Sequence, residues 1–254
     1  MIEVKNLYKT FNNTVVLNDI SVIFDTGKTN LIIGMSGSGK TVLLKSIVGL
    51  HEVDKGEIWY EDFQFNKLDF KAKKEVRKEM GMLFQGSALF DSLTVEQNVR
   101  YPLDMFTNMS TAEKSERVNF CLNRVNIINS NKLSPAELSG GMKKRVAIAR
   151  AIALNPKYLF CDEPNSGLDP ITAILIDELI KELTEEYSMT TIINTHDMNS
   201  VMEIGEKIIF ISEGYKCWEG SNKEILHSDC KALNDFVFAN SLAKQLRLTY
   251  KNGE

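Results

Sequence analysis

The sequence predicts an α/β fold with a mostly parallel sheet built on a phosphate-binding loop, and three observations predict it. Gly34-Met35-Ser36-Gly37-Ser38-Gly39-Lys40-Thr41 fits the pattern G-x-x-x-x-G-K-[ST], directly behind an apolar run at 29–33 that reads as a buried strand. Tyr158-Leu159-Phe160-Cys161-Asp162-Glu163 is an apolar strand ending in two adjacent carboxylates. Short apolar strands at 158–161, 191–194 and 207–211 are separated by helix-like stretches, the order a parallel sheet requires.

Taken in order, 2–4, 15–17 and 20–24 alternate like the strands of a small antiparallel sheet, and Asp25-Thr26-Gly27-Lys28 is a turn before the 29–33 strand. Gly34, Gly37 and Gly39 let the backbone curl with its N–H groups inward, around Ser36 and Ser38. Lys40-Thr41-Val42-Leu43-Leu44-Lys45 then opens a helix whose positive end faces an anion. A strand follows at 56–60, then a lysine-rich helical segment at 69–79 with a solvated face, then a strand at 80–84 that stops at Gln85. From about 87 to 134 helical spacing replaces β-branched runs, which predicts a helical subdomain inserted in the α/β core, with Pro135 at its exit. A helix at 140–154 carries Val146, Ile148, Ala149, Ile152 and Ala153 on its apolar side. The expected organisation is one domain over 1–240, its helical subdomain at about 87–150, and a tail at 241–254. Phe236, Val237, Phe238, Leu242 and Leu246 have helical spacing, which either caps the domain's own core or packs on a neighbouring subunit.

Composition bounds the function. At 254 residues the chain buries a full core, and its 43% hydrophobic and 25% charged content is that of an ordinary globular protein. A net charge of -4 argues against a nucleic-acid partner, since a phosphate backbone calls for a broad basic face. No apolar stretch approaches the roughly 20 residues that span a bilayer, and residues 1–6 have neither the basic start nor the apolar block of a secretion signal. Cys121, Cys161, Cys217 and Cys230 lack C-x-x-C spacing and are expected to be reduced core thiols. His51 and His227 have no motif around them and are expected to be structural or solvent-facing.

The motifs divide a phosphoryl-transfer task. Lys40 reaches β- and γ-phosphates, and Thr41 offers a hydroxyl to Mg²⁺. Consecutive strand residues face opposite ways, so Asp162 can hold the magnesium shell while Glu163 polarises an attacking water. Leu138-Ser139-Gly140-Gly141-Met142 places a hydroxyl and free N–H groups at a helix start, a compact anion site.

At this pentad the chain resembles the ATP-binding-cassette (ABC) ATPases, and the resemblance covers almost the whole sequence. It implies an ABC-type nucleotide-binding domain in which Phe11 stacks on adenine, Gln85 coordinates Mg²⁺ and the lytic water, His196 hydrogen-bonds the γ-phosphate, and Asp169 helps join two subunits. It further implies a homodimer, with Lys40 and Glu163 of one copy and Ser139 and Gly141 of the other enclosing each ATP. A membrane permease is implied to dock near 86–99, where Ala88, Leu89, Phe90 and Leu93 are apolar. Gln85-Gly86-Ser87-Ala88-Leu89-Phe90-Asp91-Ser92-Leu93-Thr94-Val95, together with the signature ending in Met142-Lys143-Lys144-Arg145, is similar to the Mla-type ATPases of phospholipid transporters. That likeness implies an MCE-domain protein and a small regulatory subunit as further partners, and a peripheral place on the cytoplasmic face of the inner membrane. Three other readings stay open: a soluble cassette ATPase driving assembly, as in iron–sulfur assembly, a transporter ATPase for another substrate, and a small-molecule P-loop kinase.

Overall fold

The computed structural model describes residues 1–239, so the tail at 241–254, with Leu242 and Leu246, lies outside the described residues. The chain divides into two compact units, Met1–Lys67 with the segment from Ile192 onward, and Leu68–Thr191.

The first unit opens with β1 (Ile2–Phe11), β2 (Thr14–Phe24), β3 (Thr29–Ile33), α1 (Lys40–Val48), β4 (Lys55–Tyr60) and β5 (Phe63–Gln64). Asn12 and Asn13 both adopt positive φ, at 47° and 64°, the backbone of a two-residue hairpin, and so bring Phe11 opposite Thr14. The two expected runs at 15–17 and 20–24 are therefore one continuous strand, whose register shifts against β1 absorb the irregularity. β2, β1, β4 and β5 form a four-stranded antiparallel sheet.

The second unit contains α2 (Phe70–Arg77), β6 (Met80–Leu83), α3 (Val95–Phe106), α4 (Thr111–Arg124), α5 (Gly140–Ala151), β7 (Tyr158–Asp162) and α6 (Pro170–Glu186). β6 and β7 run parallel, with Met80 opposite Tyr158 and Leu83 opposite Cys161. Asp69 caps α2 by accepting from the Ala72 amide at 2.7 Å, and no residue of that lysine-rich helix is buried. Capping boxes start α3 and α4, Thr94 with Gln97 and Ser110 with Glu113. α5 stops at Ala151, short of the expected 154. Asn155 takes a φ of 53° before Pro156, which ends the helical run, and the guanidinium of Arg117 donates to the Ala153 and Ile152 carbonyls at 2.9 and 2.8 Å, satisfying two acceptors past the helix end.

β8 (Thr190–Asn194) spans the division, and the first unit resumes with α7 (Met198–Ile204), β9 (Lys207–Ser212), β10 (Tyr215–Gly220) and α8 (Lys231–Val237). β9 pairs parallel with β3, from Asn30 opposite Lys207 to Ile33 opposite Phe210, and antiparallel with β10. Every residue of β3, β7 and β8 is buried, as the apolar runs predict, and each fully buried Leu, Ile or Phe stabilises the fold by roughly 1.5–3 kcal/mol. Phe236 of α8 rests on Phe210, with ring centroids 5.5 Å apart, so the described part of the C-terminal segment covers the core of its own unit. Cys121 and Cys161 are buried and burial raises both thiol pKa values, Cys121 to about 11. Cys217 is exposed, contrary to the expectation of a core thiol, because β10 alternates exposed and half-buried positions along its length. Among the described residues no helix is long and apolar enough to cross a membrane.

The stretch between Gln85 and α3 has no regular structure, yet one buried side chain organises it. Asn98 accepts from the Phe90 amide at 2.8 Å and donates to the carbonyls of Phe90, Leu93 and Thr94 at 3.0–3.2 Å. Asn98→Ala takes the side-chain partner from the Phe90 amide and the Leu93 carbonyl, while the Phe90 and Thr94 carbonyls keep backbone donors, and it is expected to cost about 2–3 kcal/mol. A urea-unfolding midpoint compared with that of the unaltered chain checks this.

Candidate active site

In the first unit, β3 delivers the chain to Gly34 at the strand's carboxyl end, and the next residues form the phosphate loop. Gly34 has φ 150°, and a Cβ placed on it would lie 2.1 Å from the carbonyl oxygen of Ile211 in β9. Gly39 has φ 106° and is pressed against the Val16 carbonyl, where a Cβ would come within 2.8 Å. Only glycine fits either position, because the left-handed backbone and the close approach both exclude a side chain. Gly39 also precedes α1 without any side-chain cap, which leaves the helix's first N–H groups directed at the loop.

Within this cradle Lys40 is buried, and its ammonium donates to the carbonyls of Gly34 and Met35 at 2.8 and 3.0 Å. Ser38 is 6% exposed and its hydroxyl has no protein partner. A buried hydroxyl without a partner is costly, and here it lines a loop of inward N–H groups, which fits a phosphate oxygen. Thr41 is fixed from the neighbouring strand: Asn194, the last residue of β8, donates its Nδ2 to Thr41 Oγ1 at 2.9 Å. That bond places the threonine hydroxyl at the start of α1, where the resemblance expects a magnesium ligand. The Thr195 amide donates to the Ile32 carbonyl at 3.1 Å, which sets the exposed His196 beyond the end of β8, beside the strand that feeds the loop. Phe11 ends β1 with 38% of its surface exposed. Lys9 Nζ lies 5.0 Å from the Phe11 ring centroid, and the ring meets His51 edge-on at 5.3 Å. His51 is thus a structural neighbour of Phe11, and burial pulls its pKa below the ordinary histidine value, with Lys45 and Lys9 adding to the effect.

In the second unit, Asp162 is the last residue of β7 and is buried, and Glu163 is the first residue beyond it. Glu163 has φ 49°, a left-handed backbone that costs a non-glycine residue roughly 1–2 kcal/mol. Its carboxylate Oε2 accepts from Gln85 Nε2 at 2.8 Å, so the two residues expected to handle water do meet. With its amide nitrogen so engaged, Gln85 retains its amide oxygen as an acceptor for a metal. Ser139 caps α5, its hydroxyl accepting from the Met142 amide at 3.2 Å, and is itself exposed with Gly140. A Cβ on Gly141 would meet Thr172 Cγ2 at 2.7 Å. Thr172 is bound in turn to Asp169, which caps α6 and accepts from the Thr172 amide and hydroxyl at 3.0 and 2.6 Å. Those hydrogen bonds hold the Asp169 carboxyl below the usual carboxylate range.

Sequence reasoning passed over two residues here. Asn194 is the one amide in an otherwise apolar or threonine strand, a signal that was present but unweighted. Lys144 sits in the run Lys143-Lys144-Arg145, which reads as solvated; it is instead 4% exposed, donating to the Gln85 carbonyl and, at 3.4 Å, to the Glu163 carbonyl. Burial lowers its pKa, opposed by Cys161, Glu163 and Asp162.

The segment at 86–99, expected to receive a permease, lies beside an open groove of about 450 Å³ whose lining includes Phe84, Ala88, Phe90, Tyr101, Phe106 and Arg150. Ala88 and Phe90 line it as expected, whereas Leu89 and Leu93 do not. The reason is that Ser87 and Ala88 take positive φ, at 62° and 47°, and turn the chain between Gln85 and Phe90. Arg150 fixes that turn by donating to the carbonyls of Ala88 and Ser87 at 2.7 and 2.8 Å.

A sequence-family model described as ABC transporter matches residues 17–166. That span holds the phosphate loop, Gln85, the Ser139 motif and the acidic pair. The chain is similar to the methionine import ATP-binding protein MetN of Clostridioides difficile, 38% identical over 242 residues that cover 95% of this chain and 75% of that protein. It is equally similar to the intermembrane phospholipid transport system ATP-binding protein MlaF of Haemophilus influenzae, 38% identical over 228 residues, 90% of this chain and 86% of that protein. Among solved structures, the dimeric bacterial ABC transporter cassette MJ0796 superposes with a TM-score of 0.81 at 33% identity, covering 87% of this chain and 99% of that one. The same cassette in a post-hydrolysis state bound to ADP and Pi gives a TM-score of 0.80.

The 2.1 Å approach at Gly34 makes that position a sharp test of the cradle. Gly34→Ala should displace the loop from Ile211 and weaken ATP binding at least about tenfold, about 1.4 kcal/mol, read as the dissociation constant of a fluorescent ATP analogue.

Proposed function

The chain belongs to the ABC transporter family and is an ATP-binding, ATP-hydrolysing member of it, and on that premise we propose that it powers phospholipid movement through a separate membrane permease of the Mla type. The observation that carries the ATPase part is the phosphate loop, with Lys40 and the partnerless Ser38 hydroxyl buried in a ring of inward N–H groups.

In this reading Lys40 and the loop amides bind the β- and γ-phosphates, Phe11 packs on adenine, and His196 donates to the γ-phosphate. Thr41, Gln85 and Asp162 would hold Mg²⁺, which when bound neutralises charge developing on the phosphate oxygens. Glu163 takes a proton from the attacking water, and its bond from Gln85 orients the carboxylate for that work. Phosphoryl transfer depends on positioning and charge stabilisation, so donors from a second chain can gate it. Ser139 and Gly141 of a second copy supply those donors, with Asp169 at the junction of the two copies, and Ser139 is exposed as that role requires.

The phospholipid assignment rests on the string at 85–95 and on Met142, and it is supported by the likeness to MlaF. The groove beside Ala88 and Phe90 is the proposed permease seat, with the protein held at the cytoplasmic face of the inner membrane and an MCE-domain protein and a small regulatory subunit completing the assembly. A second reading, methionine import, is favoured by the equal identity to MetN. The two differ in the permease and its cargo, not in the ATP chemistry.

Glu163→Gln is expected to keep ATP affinity within about twofold while turnover falls roughly 10²–10⁴-fold, measured by nucleotide binding beside phosphate release. Purification of the native complex decides the cargo: an MCE-domain protein with copurifying phospholipid is expected, and a permease whose ATPase responds to methionine would select the second reading.

A further inference from the structure

Lys144 stands out among the charged residues of the second unit because its burial is not explained by an ion pair. It lies on α5, five residues past Ser139, and is 4% exposed. Its ammonium donates to two main-chain carbonyls, those of Gln85 and Glu163, the latter at 3.4 Å. Those two residues are also joined by their side chains, Gln85 Nε2 to Glu163 Oε2 at 2.8 Å. The result is a closed loop of hydrogen bonds: ammonium to both backbones, and one side chain to the other.

Glu163 needs such support. Its φ of 49° is unfavourable for a residue with a side chain, and hydrogen bonds to its carbonyl help to hold that backbone in place. The Ser166 amide also donates to this carbonyl, at 3.2 Å, so the oxygen is held by a local turn and by a distant helix together. Removal of the ammonium takes the cationic donor from both the Gln85 and the Glu163 carbonyls. The carboxylate would then lose the backbone conformation that aims it.

We propose that Lys144 is a positioning residue for hydrolysis, holding the backbones of Gln85 and Glu163 in the one arrangement from which Glu163 can act on water, and tying that arrangement to the helix that Ser139 caps. The role rests on the reading of Glu163 as the base. Lys144 touches neither phosphate nor water in this scheme, and it acts only through the two carbonyls. A displacement of α5 when Ser139 engages nucleotide therefore reaches the base directly through one side chain.

The test is steady-state ATP hydrolysis by the purified full chain with Lys144→Met, Lys144→Gln and Glu163→Gln, each with its nucleotide dissociation constant and melting temperature. Lys144→Met should lower kcat at least tenfold with KM for ATP and nucleotide affinity within twofold, and Lys144→Gln, which keeps a shorter donor, should fall between it and the unaltered chain. In the Glu163→Gln background, Lys144→Met should change the residual single-turnover rate less than twofold, since its effect passes through Glu163. Should Lys144→Met fail to fold, the Lys144→Gln values and its combination with Glu163→Gln carry the same expectations. Unchanged kcat in a folded Lys144 variant beside an inactive Glu163→Gln overturns the positioning role alone, as does a full multiplicative loss in the double variant. Normal turnover in Glu163→Gln overturns the base assignment and the positioning role with it.

Discussion

The approach of β9 to the phosphate loop is the constraint on which the rest of the first unit depends. The Ile211 carbonyl occupies the space that any side chain at Gly34 would need, so the strand and the loop are locked at backbone distance. From that contact follows the direction in which β3 hands the chain to the loop and then to α1. Lys40 turns its ammonium back onto two of the loop's own carbonyls, and the loop carries its cation inside itself. Such a cradle is ordered before any anion arrives, and preorganised donors of this kind carry most of the stabilisation in phosphoryl transfer.

The second unit solves a different problem, that of presenting carboxylates at a strand end without losing them to solvent. β7 is buried through Asp162, and the backbone then bends into the left-handed region at Glu163. The bend separates the two acidic side chains, one continuing the strand and one leaving it. Alternation along a strand predicts that they face different ways, and the turn at Glu163 sharpens that division. The strain is met by hydrogen bonds from Ser166, Gln85 and Lys144, three residues distant from one another in sequence or in element.

Much of this was legible in the sequence, and the remainder was not for physical reasons. Strands such as 29–33 and 158–162 are continuous apolar runs between punctuating residues, and burial on both faces leaves that trace in any order of contacts. The helix cap at Ser139 is a local event within three residues, so the spacing of its motif reveals it. The turn after α5 is held by Arg117, 36 residues before Ala153, and no window on the helix itself contains that partner. Lys144 was opaque for the same cause: in a run of three basic residues the buried one is chosen by the carbonyls that face it, and those lie just beyond the ends of β6 and β7. Likewise 15–17 and 20–24 are one strand, because Asp19 takes a φ of 55° between them and the register shifts against β1 absorb the irregularity.

Arg150 has a consequence for whatever settles in the groove beside it. Its guanidinium fastens the carbonyls of Ser87 and Ala88, and Asn98 fastens those of Phe90, Leu93 and Thr94, so the rim is a rigid lip rather than a wandering strand. A rim held in this way before contact would leave little ordering cost to whatever seats there. The same guanidinium joins that lip to α5, the element that carries Arg150 at one end and is capped by Ser139 at the other.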